Sequence, residues 1–79
     1  MRYFFHLYEG DQCLPDPDGI ELSDMDSVRR TALAGARSIV CHDAQSGYVD
    51  LSGRIEVVDV DGRIVLTLPF REAVQLRKA

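Results

Sequence analysis

The residues whose types and spacing most resemble a chemical site lie in LPDPDGIELSDMD, from Leu14 to Asp26, where Asp16, Asp18, Glu21, Asp24 and Asp26 crowd around two prolines and a glycine. Carboxylates at alternating positions ahead of a glycine are how a calcium loop begins. Such a loop needs oxygen ligands at its first, third and fifth positions, glycine at the sixth and a bidentate glutamate at the twelfth. Placing Asp16, Asp18 and Gly19 at the third, fifth and sixth puts Leu14 first and Met25 twelfth, and neither side chain can serve. The segment is instead expected to turn over Pro15–Gly19, because proline fixes its own backbone angle and glycine tolerates the left-handed one. Ser23 is then expected to cap a helix whose first turn carries Asp24 and Asp26, where the helix dipole favours negative charge.

Other chemistries find less support. A transition metal would draw on His6, Cys13, Cys41 and His42, yet Cys41 and His42 are adjacent on a predicted helix and point apart, and no Cys-x-x-Cys or His-x-x-x-His occurs. Ser23, Ser27, Ser38, Ser46 and Ser52 lie in no nucleophile elbow. The glycines form no phosphate-cradling cluster ahead of a helix. No catalytic, cofactor-binding or metal-ligating residue is therefore assigned, and the chain is expected not to be an enzyme.

Composition bounds the remaining functions. At 79 residues the chain has room for one domain with one core, spanning 1–79, and little space for a buried cleft. Its 46% hydrophobic and 28% charged content is that of a globular protein. A net charge of −4 opposes nonspecific adhesion to nucleic acid, which is driven by basic side chains displacing counterions from phosphates. No apolar run is long enough to span a bilayer and no basic-plus-apolar leader is present, so no membrane role and a cytoplasmic location are expected. Two cysteines do not make a disulfide framework.

The elements follow from periodicity. Arg2–Glu9 alternates Tyr3, Phe5 and Leu7 with Phe4, His6 and Tyr8, the pattern of a strand with two apolar faces. Glu9–Gln12 reads as a turn, and Ile20–Leu22 as a short strand returning beside the first. Met25, Val28, Ala32, Gly35 or Ala36, and Ile39 recur at helical spacing, predicting a helix from about Asp24 to about Ser46 that ends at Gly47. Its small middle would let it approach a sheet closely, with Tyr3 and Phe5 filling the space. Asp61-Gly62 between two β-rich runs predicts a hairpin with a two-residue turn. Its register would set Val60 opposite Arg63, Val58 opposite Val65 and Glu56 opposite Thr67 on one side, with Val57 opposite Leu66 and Ile55 opposite Leu68 on the core side. Pro69 stops the last strand, and periodicity through Phe70, Ala73, Val74 and Arg77 suggests a short terminal helix or turn.

The economical assembly is a two-layer α+β domain: a four-stranded antiparallel sheet, ββαββ with order 2-1-3-4, and the long helix across one face. The other face would then carry Phe4, His6, Tyr8, Val58, Val60, Val65 and Thr67. That is more apolar surface than small soluble monomers usually leave in water. Two covers compete for it: a second copy of the chain, which is favoured, or the C-terminal segment folding back through Phe70, Val74 and Leu76.

Three stretches carry a resemblance. The opening RYFFHLYEG, the Asp18-Gly19-Ile20-Glu21-Leu22 segment leading into an alanine-rich helix, and LSGRIEVVDVDGRIVLTLPF resemble the short bacterial proteins grouped as a domain of unknown function (DUF6894-like). The resemblance covers nearly the whole chain and implies a small cytoplasmic protein, with no activity, ligand or catalytic residue to carry over. The layout is also similar to antitoxin-side domains of some bacterial toxin and antitoxin systems, an analogy of topology that implies binding a partner protein. The expected function is accordingly association without catalysis, as a homodimer and with a possible unidentified protein partner, in a regulatory or scaffolding role. The alternative is a sheet that binds single-stranded nucleic acid by stacking bases on Phe4, His6 and Tyr8.

Overall fold

The computed structural model describes residues 1–75 as an α+β domain with an antiparallel sheet, one long helix and one short C-terminal helix. The strands are β1 (Arg2–Glu9), β2 (Gln12–Leu14), β3 (Ile20–Glu21), β4 (Arg54–Val58) and β5 (Ile64–Pro69); the helices are α1 (Met25–Gln45) and α2 (Phe70–Ala73). The sheet has five strands, not the expected four, and its order is β2-β1-β4-β5 with β3 also paired to β1. The expected order 2-1-3-4 is corrected by β2. Gly10, at φ 58°, lets the chain reverse after Glu9, so Gln12, Cys13 and Leu14 pair with Glu9, Tyr8 and Leu7. Gln12, expected to end a turn, thus begins a strand with Cys13 and Leu14.

β3 lies beside β1 further along, with Ile20 opposite Tyr3 and Glu21 opposite Arg2. Two backbone bonds between Met1 and Leu22 extend that pairing by one residue. The helix begins one position later than Ser23 capping requires. Asp24 is the cap: its backbone is extended, and its carboxylate accepts the Ser27 N–H at 2.7 Å. At the other end Ser46 closes the helix and Gly47 follows at φ 97°, the left-handed conformation that glycine takes without penalty.

α1 buries Val28, Ala32 and Ala36, one residue per turn, so its seam is built of small side chains and comes close to the sheet. Met25, expected on this stripe, is exposed. Opposite the seam lie Tyr3, Ile55, Val57 and Leu68, with Phe5 and Leu7 packed at the margin. Phe70 is the largest fully buried side chain and joins the same cluster with Ala73. The described part of the C-terminal segment therefore covers the helix side, where α2 packs on α1 and Arg37 Nε donates to the Ala73 carbonyl at 2.7 Å. It does not fold over the other face. Leu76, Arg77 and Lys78, included in the expected terminal helix or lid, lie outside the described residues.

The second hairpin keeps the expected core register, with Ile55 opposite Leu68, Glu56 opposite Thr67 and Val57 opposite Leu66. Beyond Val57 the register shifts, and Val58 faces Ile64, not Val65. The cause is the turn. Gly62 N–H donates to the Asp59 carbonyl and Asp59 N–H to the Arg63 carbonyl, while the Asp59 carboxylate accepts from Asp61 and Arg63 N–H. A turn starting at Asp59 with left-handed Gly62 at its fourth place is longer than two residues, and the extra residue is absorbed as a bulge. Val60 consequently lies in the turn, not in a strand, and Val65 packs against the buried cluster.

Two glycines in this frame should respond oppositely to alanine. A Cβ at Gly53 would sit 2.7 Å from the Phe70 ring and 2.9 Å from the Tyr8 carbonyl oxygen, whereas at Gly35 its nearest neighbour is Ile55 Cδ1 at 3.6 Å. Gly53→Ala is expected to destabilise the fold by about 1–3 kcal/mol through overpacking. Gly35→Ala is expected to stabilise it by roughly 0.5–1 kcal/mol, because alanine loses less backbone freedom in a helix. Urea denaturation of the two variants checks both signs.

Candidate functional site

The sheet face away from α1 is the candidate site, and its side chains fall into cross-strand rows. Phe4, Val58 and Ile64 form one row; His6, Glu56 and Thr67 the next; Cys13, Tyr8, Arg54 and Pro69 the third. The first is entirely apolar. Phe4 and Val58 are half-buried, while Ile64 at its outer end is 59% exposed. Val60, in the turn beyond, is equally exposed. Ile64 was not among the residues expected here; it takes the place assigned to Val65 because of the bulge.

In the other rows the charged side chains are paired with each other. Arg54 Nε lies 2.9 Å from Glu56 Oε2, and the Arg54 guanidinium stacks over the Tyr8 ring at 4.3 Å from its centre. Contact with the Cys13 thiol raises the Tyr8 phenol above its ordinary value, an effect that Glu56 adds to and Arg54 opposes. Of the seven expected face residues, Phe4, His6, Tyr8, Val58 and Thr67 share the face, Val60 is in the turn and Val65 leans on the core.

The acidic loop has a structural task at the margin of this face. β1 pairs with β2 at Leu7–Glu9 and with β3 at Arg2–Tyr3, leaving a gap around Phe5. Backbone groups alternate sides along a strand, so the Phe5 N–H is the donor that the gap leaves open. Asp16 Oδ2 accepts it at 3.1 Å, while Oδ1 accepts Gly19 N–H at 3.1 Å and Asp18 N–H at 3.3 Å. In return Asp16 N–H donates to His6 Nδ1 at 3.0 Å. One carboxylate thus stands in for a missing piece of strand. Gly19, at φ 71°, passes so close that a Cβ would meet the Tyr3 carbonyl at 2.8 Å. Among the described residues, no group of three His, Cys, Asp or Glu side chains is arranged to hold a metal ion.

Two further features went unread in the sequence. Asp43 on α1 is buried and accepts from the Tyr48 hydroxyl at 3.1 Å, tying the loop after the helix to its last turn. That bond raises the Tyr48 phenol above its ordinary value. An open concavity of about 520 Å³ lies between α1 and α2, lined by Arg37, Glu72, Ala73, Val74 and Gln75. No helix among the described residues is long and apolar enough to cross a membrane.

The Asp16 clamp has a pH signature. Burial pushes its carboxyl upward, but the hydrogen bonds from Phe5, Gly19 and Asp18, with His6 nearby, outweigh it and hold the group below its ordinary value. A carboxyl lowered by folding stabilises the fold above its unfolded value and loses that contribution as pH falls through the folded one. Asp16→Ala is expected to cost roughly 1 kcal/mol at neutral pH, since the Phe5 donor loses its partner. Its difference from the native protein should shrink in acid below the ordinary carboxylate range. Urea midpoints of both proteins across that range check the sign; a constant difference would remove the carboxylate from the explanation.

No curated protein and no solved structure matches this chain. A family model described as a domain of unknown function (DUF6894) matches residues 2–71, which spans every strand and the whole of α1, including the Asp16 loop, the Gly53 approach and the open face. The chain belongs to this family.

Proposed function

We propose that this is a cytoplasmic association domain without catalytic activity, which pairs with a second copy of itself through the open sheet face and serves a regulatory or scaffolding role toward a protein partner. The observation that carries the reading is that, among the described residues, no helix covers this face with its apolar row, while two stretches of the sheet's edge are blunted. The β1 edge is closed by β2, β3 and Asp16. On the β5 edge, Phe70 N–H points inward to the Gly53 carbonyl, so by alternation the Pro69 nitrogen, which has no hydrogen, lies outward. The bulge near Ile64 further disrupts that edge. Proline and bulges are the devices by which sheets avoid edge-to-edge pairing.

The face itself combines an apolar row with charges that are already neutralised by each other, which suits a partner of the same kind. Base stacking is less well supported: the Tyr8 ring is covered by Arg54, Glu56 stands beside it, and the chain carries a net charge of −4. Cys13 and Cys41 are both free and exposed, in keeping with a reducing compartment.

Replacing Val58 and Ile64 together by lysine puts like charges against their symmetry mates and leaves the core residues Ile55, Val57 and Leu68 untouched. Light scattering at tens of micromolar should give twice 8.9 kDa for the native chain and 8.9 kDa for the variant, with unchanged circular dichroism. A native mass of 8.9 kDa would overturn the proposal.

A further inference from the structure

The sheet is wider than the helix layer laid on it. Its strands stand side by side in the order β2-β1-β4-β5, about 19 Å at ordinary strand spacing, while a helix with its side chains is about 10 Å across. α1 packs on β4 and β5, and α2 on β5. Among the described residues no second helix lies over β1 and β2. The side chains beneath that vacancy are apolar. Tyr3, Phe5 and Leu7 point to the helix side, and cross-strand partners share a side, so Leu14 opposite Leu7 and Ile20 opposite Tyr3 point there too. Leu14 is nevertheless 60% exposed and Ile20 42%, with Phe5 and Leu7 only half-buried between them.

The flank of α1 beside this strip is small and uncharged. Arg37 reaches the Ala73 carbonyl, Arg29 lies eight residues earlier on the same side, and Arg30 is bonded to Ser27. Toward β1 stand Thr31, Gly35 and Ser38, with Gly35 over Ile55 of β4. Small residues at spacings of four and three let another helix lie close alongside.

Charge selects the occupant. Residues 1–26 carry seven of the chain's thirteen acidic side chains and one of its nine basic ones, Arg2. Arg2 and the N-terminal amine are engaged with Glu21, Asp16 with backbone N–H groups and Asp24 with the helix cap. Glu9, Asp11 and Asp18 have no ion-pair partner among the described residues. Glu9 shares the helix side with Leu7 at the Leu14 end of the strip, Asp11 follows it in the turn, and Asp18 stands two positions before Ile20. A second copy would set the same carboxylates against these, whereas basic side chains complement them. We infer that the β1–β2 half of the helix side is the docking site for an amphipathic helix of the partner protein. That helix lies beside α1 with its apolar stripe on Phe5, Leu7, Leu14 and Ile20 and with lysine or arginine along its margins. This rests on the partner-binding part of the proposed function and lies across the sheet from the face assigned to pairing of copies.

The probe is a synthetic peptide of about 14 residues, with leucine at helical spacing and lysine elsewhere. As a helix it is about 21 Å long, enough to cover the roughly 13 Å between the levels of Ile20 and Leu14. A second peptide carries glutamate in place of lysine, and a third has the composition of the first in scrambled order. Added to the full chain, the lysine peptide should shift the methyl signals of Leu7, Leu14 and Ile20 and leave those of Val58 and Ile64 in place; the other two should shift none. Leu14→Ser with Ile20→Ser should weaken its binding about tenfold or more with unchanged circular dichroism. Shifts confined to Val58 and Ile64, equal binding of either control peptide, or no saturable shift up to millimolar peptide would overturn the site. The shift map is read on the native chain, so it decides even if the double variant does not fold. Light scattering on the same samples separates the two associations: a dimeric mass without the expected shifts sinks this site alone, and a monomeric mass with them sinks the pairing of copies alone.

Discussion

A single helix can cover a single face of a sheet, and the Val28–Ala32–Ala36 seam of α1 commits this chain to one of the two. Small side chains on the seam bring the helix close enough for Tyr3, Val57 and Leu68 to be sealed beneath it. Phe70 completes the seal from the C-terminal side and needs a bare Gly53 to do so, since any side chain there would occupy the space of its ring. With helix and C-terminal turn both spent on one side, Phe4, Val58 and Ile64 are left on the other.

The same economy governs the edges. β2 and β3 are too short to cover β1 between them, and the carboxylate of Asp16 supplies the acceptor that a longer strand would have supplied. Its three backbone bonds also shape the turn that delivers the chain to β3. The acidic stretch that looks most like a metal site is therefore consumed in folding, and its two oxygens are directed at backbone N–H groups. At the far edge, the bulge and Pro69 interrupt the row of outward donors. A sheet whose core is sealed on one face presents a defined surface on the other, where an apolar row lies beside rows in which Arg54 is paired with Glu56 and Tyr8.

Much of this was legible from residue patterns. The alternation of Tyr3, Phe5 and Leu7, the helical spacing of Val28, Ala32 and Ala36, and the pairing of Ile55 with Leu68 and Val57 with Leu66 all correspond to the structure. What was misread depended on backbone hydrogen bonds that periodicity does not encode. The Ser27 N–H goes to the Asp24 carboxylate, so the helix cap is Asp24 and not Ser23. The turn signal was read as Asp61-Gly62 alone, although Asp59 at the first place and Gly62 at the fourth is the signature of the longer turn that forms. That single residue exchanged Val65 for Ile64 on the open face. The strand at Gln12–Leu14 was hidden because none of its side chains is buried, so it carries no hydrophobic pattern.

The central claim, that the open face is covered in solution, can be read residue by residue from solvent paramagnetic relaxation of methyl signals at a concentration of hundreds of micromolar. Ile64 and Val49 are comparably exposed in the single chain, at 59% and 55%, the first in β5 and the second in the segment between α1 and β4. A soluble paramagnetic probe should broaden the Val49 methyls strongly and spare those of Ile64 and Val58. Equal broadening of Ile64 and Val49 would show the face bare and contradict the account.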